Sequence, residues 1–150
     1  MALKEQILED MKQFMKDKNQ VALGAVRMLR SEIRNAEIEK SGDLNDDEIV
    51  KLVSTAVKKR KDSARQYEEA GREDLASKEL EEIKVLEKYM PEQLSEDEIR
   101  NIVDNEISKL DSPDKKYFGQ VMKAVMAEVG NRADGKLVNR IVKEAFDANN

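Results

Sequence analysis

The side chains that could do chemistry in this 150-residue sequence are charged ones, because it contains no cysteine and no histidine. Such a chain supplies no thiolate nucleophile, no disulfide, no imidazole base and no histidine or thiolate metal ligand. A catalytic centre would have to rest on carboxylates, Lys, Ser, Thr or Tyr, or be borrowed from a partner. The acidic doublets Asp46/Asp47, Glu68/Glu69 and Glu81/Glu82 are adjacent in sequence. Neighbours on a helix point in different directions, so these make poor metal or acid–base pairs. The stretch Gly130 to Gly135 (GNRADG) lacks the spacing of a Walker or dinucleotide loop and follows no strand. No self-contained active site is expected, and neither a cofactor nor a metal.

The cations carry more information. On a helical wheel Lys51, Lys58, Lys61 and Arg65 cluster opposite Ile49, Val53, Ala56 and Tyr67. This is a basic ridge, either a solvated face or a set of phosphate contacts. Arg60 falls in the middle of the apolar stripe of the same helix, and Glu79 falls among Leu75, Ala76, Leu80, Ile83 and Leu86 of the next. Since an unpaired buried charge is costly, the turn at Gly71 predicts a buried Arg60–Glu79 pair with a structural role. Arg27, Arg30 and Arg34 form a second row, spaced three and four residues apart. That row could clasp phosphates or bridge to the acidic fourth helix, and the spacing fits both.

Helices must position these residues. Charged residues and the hydrophobic set each make up 39% of the chain, aromatics only 4%, and there are two prolines. Glu, Lys and Ala are poor strand formers, so an all-α protein follows. Apolar spacing of three and four predicts a first helix from Leu3 to about Asp17, and a second carrying Ala22, Val26, Leu29 and Ile33 that stops at Ser41-Gly42-Asp43. Asn45 with Glu48 opens a third helix that runs to about Ala70; the fourth spans Arg72 to Met90, where Pro91 ends it. Ser95 with Glu98 starts a smaller set, over about 96–110, 118–129 and 136–147. The predicted division is a four-helix N-terminal lobe, 1–90, and a three-helix C-terminal lobe, 91–150. No stretch approaches a membrane span or a signal-peptide apolar core, which points to a soluble, cytoplasmic protein.

Net charge is −5, against a generic basic nucleic-acid binder, yet the charge is unevenly placed. Lys51 to Arg72 holds seven basic and three acidic residues, and Lys115 to Asn150 seven and four. Between them, Glu73 to Glu98 holds three basic and ten acidic.

The order of several fragments resembles a known family. Arg60-Lys61-Asp62-Ser63, Gly71-Arg72 with Asp74-Leu75, Tyr89-Met90-Pro91 with Gln93-Leu94, Gly119 to Met122, and Ala133-Asp134-Gly135 occur in the order seen in the GatB/YqeY family, in particular its small stand-alone YqeY-like members. The resemblance covers essentially the whole chain. It implies a C-terminal lobe similar to the tail of the GatB subunit of tRNA-dependent amidotransferases, where the tail engages tRNA and the chemistry resides in other domains.

Carried onto this sequence, the resemblance makes Lys123, Arg132, Lys136, Asn139, Arg140 and Lys143 candidate RNA contacts, with Asn131, Asp134 and Gly135 shaping the loop between the last two helices. Lys58, Lys61 and Arg65 form the secondary basic surface. The function implied is a non-catalytic, tRNA-associated accessory module, with amidotransferase or aminoacyl-tRNA synthetase components as further partners and no DNA specificity. Two alternatives stand beside it. One is a helical protein–protein adaptor; the other is a component of a carbon–nitrogen ligase complex that uses glutamine as amido-nitrogen donor on misacylated tRNA. With only Tyr117, Phe118 and Phe146 as aromatics in this lobe, recognition by RNA shape and backbone is expected over base-specific readout.

Overall fold

A computed structural model describes residues 2–149. It contains α1 (Leu3–Lys16), α2 (Gln20–Lys40), α3 (Asp46–Glu69), α4 (Glu73–Glu87), α5 (Glu96–Ser108), α6 (Phe118–Val129) and α7 (Gly135–Ala148). Short 3-10 turns at Lys115–Tyr117 and Gly130–Arg132 lead into and out of α6. Among the described residues there is no strand, so the fold is all-α.

Local capping explains where the helices begin. Asn45 and Glu48, and again Ser95 and Glu98, form reciprocal capping boxes that satisfy first-turn amides of α3 and α5. Asn19 accepts a hydrogen bond from the Ala22 N–H at the start of α2. At the end of α2 the left-handed residue is Ser41, at φ 60°, rather than the glycine after it. The fourth helix is shorter than its apolar pattern predicts. Regular α4 stops at Glu87, and the amides of Tyr89 and Met90 bond the carbonyls of Leu86 and Glu87, three residues back. The backbone tightens there because the residue before Pro91 is disfavoured in helical geometry.

The chain divides into two compact units, Met1–Met90 and Pro91–Asn150. In the first, α3 lies along α4, and α2 packs against α1, α3 and α4. Ile7, Val26, Leu29, Ile49, Val53, Leu86 and neighbouring side chains form its core. The end of α4 is tied to α1 by Tyr89, whose buried hydroxyl donates to Asp10 Oδ2 at 2.6 Å, and Lys88 reaches the same oxygen at 3.1 Å. In the second unit α5, α6 and α7 pack mutually around Ile99, Val103, Val121, Val125, Val138, Ile141 and Phe146. No helix among the described residues is long and apolar enough to cross a membrane.

Candidate nucleic-acid interface

The loop and helix singled out in the C-terminal unit are held by a small set of contacts. Gly130 turns the chain at the end of α6 with φ 55°, a conformation that glycine adopts without a Cβ clash. The following turn is anchored from the segment before α5, where the Leu94 N–H donates to the Arg132 carbonyl at 2.8 Å and Gln93 Nε2 donates to the Asn131 carbonyl at 3.0 Å. Ala133 is buried, and the Asp134 carboxylate caps α7 by accepting from the Lys136 N–H at 3.1 Å. An incoming phosphate would therefore meet an α7 N-terminus whose Lys136 amide is already occupied.

Helix α7 turns Val138, Ile141, Val142 and Phe146 into the core. Lys136, Asn139, Arg140 and Lys143 lie on the opposite, exposed face. They are not equivalent. Arg140 is clasped by Glu96 at 2.7 Å and Glu144 at 3.1 Å, and Arg100 holds the other Glu144 oxygen at 2.6 Å. The hydrogen bonds from Arg100 and Arg140 hold the Glu144 carboxyl below its usual range, and Glu144 and Glu96 raise the Arg140 guanidinium in turn. This quartet balances its own charge and ties α5 to α7, while the Arg140 side chain stays 48% exposed.

Asn139 and Lys143 instead border a concavity of about 430 Å³, together with Lys115, Phe118, Phe146 and Asp147. Lys115 and Asp147 are paired across it at 3.0 Å, whereas Lys143 is exposed and forms no ion pair among the described residues. Phe118 and Phe146 lie with ring centroids 6.2 Å apart. Arg132 is exposed and donates to the Glu128 carbonyl at 3.3 Å. Lys123 is exposed on α6, outside the lining of this concavity. The structure thus groups Asn139 and Lys143 and leaves Lys123 and Arg132 on other elements. Lys115 and Phe118 were missed by the sequence reading; their only signal was the basic-aromatic run Lys115-Lys116-Tyr117-Phe118 behind the Asp114 cap.

In the N-terminal unit, Lys58, Lys61 and Arg65 are exposed on α3, with Arg65 loosely paired to Asp62 at 3.7 Å. Arg60 is 8% exposed, but its partner differs from the predicted one. Its Nε meets Glu82 Oε2 at 2.9 Å, Nη1 donates to the Ala56 carbonyl, and Nη2 approaches Met28 Sδ at 3.1 Å. Glu79, the expected partner, shares the α4 face with Glu82 one turn away. Burial raises its carboxyl pKa, and the negative Glu82 raises it further, against a smaller opposing pull from Arg60. Glu82 takes the guanidinium because Nε of a side chain leaning toward the N-terminus of α3 lies nearer that position.

Residues 4–146 match the sequence profile of the Yqey-like protein family. Altered inheritance of mitochondria protein 41, mitochondrial, from Pyrenophora tritici-repentis is 31% identical over 142 residues, covering 93% of this chain and 78% of that protein. Its namesake from Clavispora lusitaniae is 30% identical over 128 residues, 83% of this chain and 74% of that protein. The namesake from Kluyveromyces lactis aligns over 82 residues at 35% identity. These names overturn the cytoplasmic expectation, since they give the relatives as mitochondrial proteins. The physical reason is that an absent apolar segment reports on insertion into a bilayer and excludes no aqueous compartment. With the family profile covering all but the ends of the sequence, the chain belongs to the Yqey-like protein family.

Proposed function

We propose that this protein is a non-catalytic, tRNA-associated accessory module whose C-terminal unit meets folded RNA through its backbone. The observation that carries the reading is Lys143, exposed and without an ion pair among the described residues, beside Asn139 on α7 at the rim of a concavity with Lys115 and Phe118 in its wall. A point cation on a rigid helix suits phosphate contact, and a neighbouring amide suits sugar or phosphate oxygens. The resemblance of the Gly119–Met122 and Ala133-Asp134-Gly135 motifs to an amidotransferase tail supports tRNA as the RNA. The enzyme class it would serve is a carbon–nitrogen ligase with glutamine as amido-nitrogen donor, the catalytic centre lying in another subunit.

The test is a titration of the full chain against bulk tRNA with duplex DNA as competitor, at two salt concentrations. Binding should prefer tRNA and weaken steeply with salt. Replacing Arg132 and Lys143 together by alanine should reduce the slope of log K against log salt by about 2, one per lost phosphate contact. Arg140 is left intact because its loss would open the Glu96–Glu144 network. No binding at low salt would remove direct RNA recognition and leave the adaptor reading.

A further inference from the structure

The arginine row on α2 has no place in the RNA reading, and its surroundings point to a different ligand. A cavity of about 380 Å³ opens between α1 and α2, with Ile7, Leu8 and Ile33 on its apolar side and Lys4, Arg30 and Arg34 on its basic side. Lys4 is held by Glu37 at 2.7 Å. Arg30 directs Nη1 to the thioether of Met11 at 3.2 Å, a weak acceptor and not a carboxylate.

Arg27 and Arg34 are exposed and form no ion pair among the described residues. The chain has nine arginines. Arg60, Arg65, Arg72, Arg100 and Arg140 meet carboxylates, and Arg132 meets a main-chain carbonyl. The three that show no acidic or carbonyl partner among the described residues are this one row, in a chain where acidic residues outnumber basic ones by 32 to 27.

Leu8 lines the cavity and Met11 meets Arg30; helical spacing puts Met15 on the same side of α1 as these two, and Ile38 one turn beyond Arg34 on α2. Met15 is 49% exposed and Ile38 is 70% exposed. A groove with an aliphatic floor and cations at spacings of three and four along one wall has the complement of an amphipathic helix, whose own anchors recur at the same spacing.

We infer that the α1/α2 groove docks an acidic amphipathic helix of a partner protein, with an aliphatic side chain in the cavity and carboxylates on Arg27, Arg30 and Arg34. RNA fits it poorly. The aliphatic wall of Ile7, Leu8 and Ile33 offers nothing to a phosphate or sugar. The site lies wholly in the N-terminal unit and shares no residue with the α7 face.

The probe is a fluorescein-labelled, alanine-based helical peptide of about 18 residues, carrying two leucines four residues apart and glutamates spaced three and four along the adjoining edge. Fluorescence anisotropy with the full chain should show saturable binding. Arg27→Ala with Arg34→Ala should weaken it by about 10-fold or more while leaving the helical circular dichroism unchanged, because neither side chain supports the fold. Changing both peptide leucines to serine should abolish binding. The inference is overturned by no binding up to about 1 mM peptide, by equal affinity of the arginine variant, or by undiminished binding of the serine peptide. Displacement of the peptide by poly(U) at equal phosphate would show a general polyanion surface instead. A sedimentation dimer that dissolves in the arginine variant would show a second copy of the chain as the occupant, also against the inference.

Discussion

Arg60 is held on three sides, by the Glu82 carboxylate, by the Ala56 carbonyl of its own helix and by the Met28 thioether. Removing only the guanidinium leaves the part-buried Glu82 beside Glu79, two like charges without the cation that bonds Glu82. Arg60→Ala should therefore cost about 3 kcal/mol in denaturant unfolding, while Arg60→Met combined with Glu82→Leu should recover most of the loss. Glu79 gives the opposite sign. Its folded pKa is raised, so its charged form disfavours the folded state at neutral pH, and that penalty disappears as pH falls below the ordinary value of 4.5. Glu79→Gln should raise the unfolding midpoint at pH 7 and leave it nearly unchanged at pH 3. The burial of Arg60 was legible in the sequence because an arginine stood inside an apolar stripe. Its partner was not, because Glu79 and Glu82 share a face and periodicity fixes a face, not which of two carboxylates a long side chain reaches. Arg140 teaches the same lesson over a longer span. Glu96, which helps to neutralise it, is 44 residues away in sequence.

At the level of helices, ends governed by a few adjacent residues could be read directly. Asn45 with Glu48 and Ser95 with Glu98 are local signals, and the structure contains both boxes. Asn45→Ala should cost about 1 kcal/mol, measured by urea unfolding, through loss of the bond to the Glu48 amide. The stop of α2 was legible only as a cluster. Ser41-Gly42-Asp43 marks a turn, but the left-handed position falls on Ser41 rather than on the glycine. A non-glycine there carries a Cβ clash of about 1 kcal/mol, partly offset by the lower unfolded-state entropy of serine. Ser41→Gly should accordingly stabilise the protein by about 0.5 kcal/mol. The early end of α4 was hidden because Tyr89, buried through its bond to Asp10, extends the apolar pattern past the last regular turn.

Across the molecule, charge rather than hydrophobic pattern governs the response to pH. Glu37 is lowered by Lys4, Glu48 by Lys40, and Glu144 by Arg100 and Arg140, each through a side-chain hydrogen bond. A carboxylate with a depressed folded pKa contributes stability above its unfolded value, ordinarily 4.5, and loses it as pH falls through the lowered one. Both units carry such groups. Thermal unfolding followed by circular dichroism should be nearly flat from about pH 6 to 8 and fall below about pH 4, and added salt should blunt the fall because these groups are exposed. The helical class followed from composition. The closed quartet around Arg140, and the α2 arginine row with no carboxylate partner among the described residues, depend on which acids the fold brings near, and no local pattern encodes that.

The bonds from Leu94 and Gln93 to the Arg132 and Asn131 carbonyls make the few residues after Pro91 a brace for the loop between α6 and α7. An excised C-terminal unit that begins at Ser95 would retain all three helices and the buried side chains between them, losing only Leu94 from the edge of the core, yet leave two carbonyls of that loop without their donors. Its amides should exchange with solvent faster while the helices stay protected. Anything that grips the chain at residues 91–94 thereby acquires a handle on Arg132.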